Sequence, residues 1–270
     1  MKFGVCMNLA DELEKGSLEE HLKQISAAGY DYVETSAAGL KPLTSLQLEE
    51  IKNALAGNGL YCPRANCFFP VDARLVGPDI CPEMQLDYLQ DILPKASELG
   101  IQVIVLGSGS ARRAPEGLGH EQALQQFSRA ARIFAQTASR WNIQIALEHL
   151  NPKETNLLTT LEETVRSMDL ADHAACGFLF DFYHVDLSTE DIRWVSERKE
   201  RLLHVHTALP GSRLYPFPED SNIMESFFRT LKAAGYNGTV SLEGSMRDDV
   251  SYEDNLKNSL ELLRQGTSEK

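Results

Sequence analysis

A (β/α)8 TIM barrel of the α/β class is the fold this sequence predicts, and three observations carry the prediction. The length, 270 residues, is typical of one such barrel. Eight short strand-like runs alternate with eight amphipathic stretches from end to end, as in a parallel sheet covered by helices. Several junctions, AAGYDYVE, ELGIQVIV and AAGYNGTVSLE, repeat one design. A glycine ends a helix in the left-handed region, and an aromatic or isoleucine starts the return to the sheet. Eight units favour closure over an open doubly wound sheet, and the first strand-helix turn lacks the GxGxxG of dinucleotide binders.

The strand candidates in order are KFGVCMN, DYVETS, YCPRANCFF, IQVIVLG, IQIALEHL, GFLFDF, LLHVHTA and TVSLEG. They are short, β-branched or aromatic, and bounded by Gly, Asn or Pro. After the first strand, SLEEHLKQISAAG places Ser17 and Glu20 at capping-box spacing and closes on Gly29. TSLQLEEIKNALAGNG follows the second and ends on Gly57 and Gly59. MQLDYLQDILPKASELG follows the third, with Pro94 expected to kink it or limit its first half. The longest, HEQALQQFSRAARIFAQTASRWN, aligns Leu124, Phe127, Ala131 and Phe134 on one face. TLEETVRSMDL, TEDIRWVSERKERL, NIMESFFRTLKAAGY and SYEDNLKNSLELLRQG complete the eight. No Pro/Ser-rich linker or charge block divides the chain, so residues 1–270 are expected to form a single domain.

Bulk properties exclude several functions. No run approaches the ~18 apolar residues of a membrane span. Five cysteines without a CxxC pair point to free thiols and a cytoplasmic location rather than a disulfide framework. A net charge of −13 leaves no basic face for nucleic acid.

Four strand candidates in the second half each end in a residue that can bind a metal: Glu148, Asp181, His206 and Glu243, spaced by 33, 25 and 37 residues. Each interval fits about one strand-helix unit. Strand alternation puts Ile143, Ile145 and Leu147 on one face and Glu148 on the other. The same parity separates Phe178 and Phe180 from Asp181, and Val240 and Leu242 from Glu243. In LLHVH it sets Leu203 and Val205 against Leu202, His204 and His206. The apolar sets pack under outer helices. The four candidate ligands then share the inner surface at the C-terminal strand ends, where barrel active sites lie. Three carboxylates and an imidazole suit a hard or borderline divalent cation. His204 is expected to fill the barrel, Glu34 to orient a ligand, and Arg64 and Asn66 to enter the pocket. His149, His173, Arg112 and Arg113 read as surface residues, Trp141 and Trp194 as packing. Phe68, Phe69 and Tyr183 are the aromatic candidates for the pocket.

At these residues the chain resembles the xylose isomerase-like TIM-barrel family of sugar phosphate isomerases and epimerases, nearest to the ketose 3-epimerases of the D-tagatose/D-psicose type. The resemblance rests on NPKETNLLTT, DFYH, HVHT and RLYP, in that order, and is clear from Gln144 onward. It implies that Glu148, Asp181, His206 and Glu243 bind one divalent ion, Mn2+ first, with Co2+, Mg2+ or Zn2+ as alternatives. It also implies that Glu154, His184 and Arg213 contact a small sugar or keto-polyol, and that the chain forms a homodimer or homotetramer. Arg213 lies one residue further from its histidine than in the epimerase pattern, behind an LPGS segment. The expected chemistry is proton transfer through an enediolate, with Glu148 and Glu243 as the acid/base pair. A lyase or dehydratase acting on a keto sugar or keto-cyclitol through the same site is the alternative. No nucleic-acid or membrane partner is expected.

Overall fold

The computed structural model describes residues 1–185 and 191–268. Eight parallel strands close in sequence order into a barrel: β1 (Lys2–Cys6), β2 (Tyr32–Ser36), β3 (Arg64–Asn66), β4 (Val103–Leu106), β5 (Gln144–Glu148), β6 (Cys176–Asp181), β7 (Leu202–Thr207) and β8 (Thr239–Leu242). The covering helices are α1 (Leu9–Lys15), α2 (Leu18–Ala28), α3 (Ser45–Gly57), α4 (Pro82–Glu98), α5 (Gly109–Arg112), α6 (His120–Ser139), α7 (Leu161–Ala171), α8 (Trp194–Glu197), α9 (Ser221–Ala234) and α10 (Tyr252–Thr267). None of the described helices is long and apolar enough to cross a membrane.

Two apolar layers hold this arrangement. The large outer core fills the space between strands and helices and includes Phe178, Phe180, Ile145 and Leu147. A small inner cluster of Val103, Val105, Ala146 and Leu179 plugs the barrel itself. Strand parity therefore separates the two layers as the sequence predicts.

Local departures have identifiable causes. β3 is only three residues long, because Pro63 has no N–H to pair and Cys67 sits at φ +47°, which ends the extended backbone. Ser17 does not cap α2; its hydroxyl donates to Glu12 Oε2 at 2.6 Å. The helix α1, which the sequence pattern did not suggest, ends two residues before Ser17 and brings Glu12 into reach. α4 runs through Pro94; the Gln90 carbonyl, which loses its N–H donor there, belongs to an exposed residue. TEDIRWVSERKERL contributes only the single turn α8 and a 3-10 turn at Lys199–Arg201; Thr189 and Glu190 lie outside the described residues.

The pairing of β6 with β7 matters most for the site. Phe178 opposes Leu202, but Leu179 opposes His204, so Leu203 is an extra residue in a bulge. This reverses the parity expected at the start of β7. Leu202 joins the outer core and Leu203 packs on the inner cluster. Beyond the bulge, His204 and His206 both face inward.

Candidate metal centre and active site

The C-terminal strand ends bring all four predicted ligands to one place. One oxygen each of Glu148, Asp181 and Glu243, with a ring nitrogen of His184, lie within 4.8 Å of one another. His206 joins them: its Nδ1 is 3.4 Å from Glu148 Oε1 and 3.7 Å from Glu243 Oε1. Asp181 and His206 are fully buried and Glu148 nearly so.

The two histidines play different parts, and their hydrogen bonds say which. His206 Nε2 is 2.9 Å from Glu34 Oε1, and His204 Nε2 is 2.7 Å from Glu34 Oε2. A carboxylate only accepts, so His206 donates through Nε2 and its Nδ1 faces the cluster. Burial opposes the charge of Glu34, but His206 and His204 outweigh it and hold the carboxylate well below the usual range. His184 is the reverse case. The Asn151 backbone N–H donates to His184 Nδ1 at 3.2 Å. Burial, with His149 and Arg213 nearby, pushes the His184 pKa down to about 2. A neutral ring that accepts at Nδ1 carries its proton on Nε2. His184 therefore presents an N–H to the centre, a donor suited to a hydroxyl, while His206 can present a lone pair.

Three atoms test whether a cation fits. Glu148 Oε1, Asp181 Oδ2 and His206 Nδ1 are buried and have no hydrogen-bond partner among the described residues. Buried polar atoms are normally satisfied, and these three converge. Burial, then repulsion from Glu243 and Glu148, raises the Asp181 pKa well above the carboxylate range. Burial raises that of Glu148, with Glu243 adding to it and His206 opposing. For His206, burial works against charge, yet Glu34 and Glu243 push its pKa well up. The cluster thus calls for positive charge at its centre, which a divalent ion supplies on displacing protons. Gly107 leaves room for the Glu148 carboxylate: a Cβ there would fall 2.1 Å from Glu148 Oε2.

Glu243 differs from its neighbours. Its Oε1 accepts from Asn66 Nδ2 at 2.9 Å and its Oε2 from Arg213 Nη2 at 2.7 Å. Arg213 also approaches Glu154 Oε1 at 3.6 Å and lies 4.8 Å over the Tyr183 ring. Its own backbone is left-handed at φ +57°, after Gly211 at φ +79°. This turn takes up the longer LPGS segment and lets the guanidinium reach the centre. Glu154 is further held by Asn151 Nδ2 at 3.0 Å. The pocket, about 380 Å3, is lined by Glu148, Glu154, His184, Arg213 and Glu243, and also by Phe69 and Pro70.

Several residues are placed otherwise than the sequence suggested. Arg64 does not enter the pocket; it bonds Thr239 Oγ1, the Pro63 carbonyl and Gln102 at the N-terminal end of the strands. His149 is fully buried beside His184, not on the surface. Arg112 is also fully buried. It donates to the carbonyls of Glu148 at 2.6 Å and of Leu106 and Leu158 at 3.3 Å each, so it ties the end of β5 to the loop that carries Glu154. Burial lowers its pKa to about 10, although Glu148 opposes this. Asn151 had no sequence signal beyond its place in NPKET. Phe68 is buried under the loop, while Phe69 and Tyr183 line or flank the pocket. Trp141 is exposed rather than packed.

Known proteins resemble the chain along most of its length. D-psicose 3-epimerase of Ruminiclostridium cellulolyticum is 22% identical over 277 residues, covering 95% of this chain and 88% of that protein. The 3-dehydro-D-guloside 4-epimerase of Escherichia coli is 25% identical over 257 residues, covering 88% and 92%. The apo crystal structure of 3-keto-D-glucoside 4-epimerase from E. coli superposes with a TM-score of 0.78 at 24% identity, over 98% and 99% of the two chains. The family model described as xylose isomerase-like TIM barrel matches residues 22–266. The chain therefore belongs to the xylose isomerase-like TIM barrel family.

Proposed function

We propose that this protein is a sugar epimerase, an enzyme of the isomerase class, that depends on one divalent metal ion and acts on a ketose or related hydroxy-keto sugar. The observation that carries the reading is the convergence of Glu148 Oε1, Asp181 Oδ2 and His206 Nδ1, which have no hydrogen-bond partner among the described residues. Glu148, Asp181, His206 and Glu243 would hold the ion. The relatives named above act on D-psicose and on 3-keto glycosides, which supports a keto-sugar substrate. Oxygen and imidazole donors suit a hard or borderline divalent cation; following the family resemblance, Mn2+ comes first, with Co2+, Mg2+ and Zn2+ as alternatives.

When bound, the ion supplies Lewis-acid polarisation of the substrate carbonyl. The protein's residues do the rest. Glu148 and Glu243 face the same centre from β5 and from the end of β8, so one removes the proton beside the carbonyl and the other returns one to the opposite face. Glu243 must first release Arg213, which then turns to a distal oxygen of the substrate. His184 donates its Nε2–H to a hydroxyl, and Glu154, held by Asn151, accepts from another.

Mn2+-loaded protein incubated in D2O with a panel of ketoses and keto sugars tests the reading. Exchange of a substrate C–H for deuterium, with an epimer as product, is expected. No exchange with any of them refutes it. Loss of water or of an aglycone would move the reaction to a lyase on the same site.

A further inference from the structure

The catalytic pocket does not stop at the charged cluster. Its lining also includes Phe69, Pro70 and Val71. Phe69 and Pro70 also line a groove of about 270 Å3, together with Ala73, Met84 and Tyr88. The loop that carries these two shared residues is fastened at several points. The Phe69 N–H donates to Ser108 Oγ at 2.9 Å, and the Tyr88 hydroxyl donates to the Phe68 carbonyl at 2.6 Å. The Leu75 N–H donates to the Ala111 carbonyl at 2.8 Å, and Gln85 Nε2 to the Arg74 carbonyl at 2.7 Å. The Phe69 ring packs on Tyr88 and on Phe134, each 5.0 Å away. The groove is therefore preformed, as small-molecule sites usually are.

Its surface is unlike that of a simple sugar site. Met84, which lines it, is 71% exposed, and an exposed methionine offers an adaptable apolar contact surface. The charged residues among the groove's lining, Lys41, Arg74, Asp72 and Asp79, balance in sign, so no net charge selects an ionic ligand. A free ketose is polar along its whole length, and Glu154, His184 and Arg213 already meet that polarity at the opposite end.

We propose that the substrate is a keto sugar carrying a neutral apolar or aromatic substituent, which crosses Phe69 and Pro70 and lies in the groove of Ala73, Met84 and Tyr88. This rests on the keto-sugar reading of the site. The test compares methyl and phenyl glycosides of the same keto sugars on the Mn2+-loaded protein, by calorimetric binding and by deuterium exchange. The phenyl member is expected to bind about tenfold tighter or more. Met84→Glu should abolish that preference and leave the methyl member unchanged. Position 84 is exposed and in the first turn of α4, where an acid suits the helix dipole, so the variant keeps its fold. Equal affinity for the two glycosides, or a preference untouched by Met84→Glu, overturns the proposal. So does a concentration-dependent dimer that Met84→Glu dissolves, which would give the groove to a second copy of the chain. Phenyl-selective binding without exchange on any substrate removes the epimerase reading and keeps the groove. Exchange on unsubstituted ketoses without phenyl selectivity does the reverse.

Discussion

Gly107→Ala is expected to weaken divalent-cation binding while leaving the fold intact. Gly107 directly follows β4, and a methyl group there would stand 2.1 Å from Glu148 Oε2 and 3.3 Å from its Cδ. Relaxed non-bonded contacts lie near 3.5 Å, so the carboxylate must retreat by more than ~1 Å. Metal-ligand distances tolerate only about 0.2 Å. Glu148 then leaves the ion or meets it in a poor orientation. Disturbing ligand orientation typically costs about 10- to 100-fold in affinity, or roughly 1.4 to 2.8 kcal/mol. Stability is insulated from this change. The displaced atoms are the free end of a side chain, and Gly107 is not among the left-handed glycines. Alanine also restricts the unfolded chain, a gain of about 0.4–1 kcal/mol where the backbone is compatible. Mn2+ titration by calorimetry, paired with thermal unfolding in chelator, reads both quantities. An unchanged Mn2+ affinity would show that Glu148 does not bind the ion in this geometry, and the reasoning would fail.

Three further outcomes are expected. Glu34→Ala strands the N–H groups of His206 and His204 and should lower Mn2+ affinity by about 10- to 100-fold. Glu34→Gln should recover much of it, because His204 can move its proton to Nδ1, 2.9 Å from the Thr239 carbonyl; equal losses in the two variants would sink the tautomer argument. Gly177→Ala places a methyl 2.5 Å from the Arg201 carbonyl and from Leu203 Cγ. It should cost about 1–3 kcal/mol, seen as a lower urea midpoint, and an unchanged midpoint would contradict the bulge. Burial, helped by Arg112, pushes the His149 pKa from its usual 6.5 to about 3. The unfolded chain therefore binds the proton first, so this contribution to stability is present above pH 6.5 and is lost as pH falls toward 3. His149→Gln should flatten the melting temperature between pH 7 and 4 in chelator, and a slope equal to the parent's would refute the assignment.

The barrel was legible because its signals are local and repeated. Eight alternations of period, with glycine-stopped helices returning to aromatic or isoleucine starts, need no tertiary information. Where local signals compete, the reading slipped. Ser17 has the spacing of a capping box, but α1 ends beside it and Glu12 takes its hydroxyl. Parity along β7 assumes one residue per partner, and the bulge at Leu203 breaks that count. Arg112 and His149 are polar residues in loops, which composition assigns to the surface. Only the fold shows that main-chain carbonyls at the ends of β4 and β5 surround the arginine.

By itself, the sequence determined the barrel, the four strand-end residues and their shared inner surface, because strand period and strand spacing are properties of the chain. Tertiary structure decided which nitrogen of which histidine faces the centre. Glu34, contributed by β2, fixes His206 through Nε2, and the backbone of Asn151 fixes His184 through Nδ1. It also decided that Arg213 rests on Glu243 and that Phe69 and Pro70 line both the pocket and a second groove. Tautomers, ion pairs and pocket walls arise between segments far apart in sequence, and closure of the barrel is what brings those segments within hydrogen-bond range.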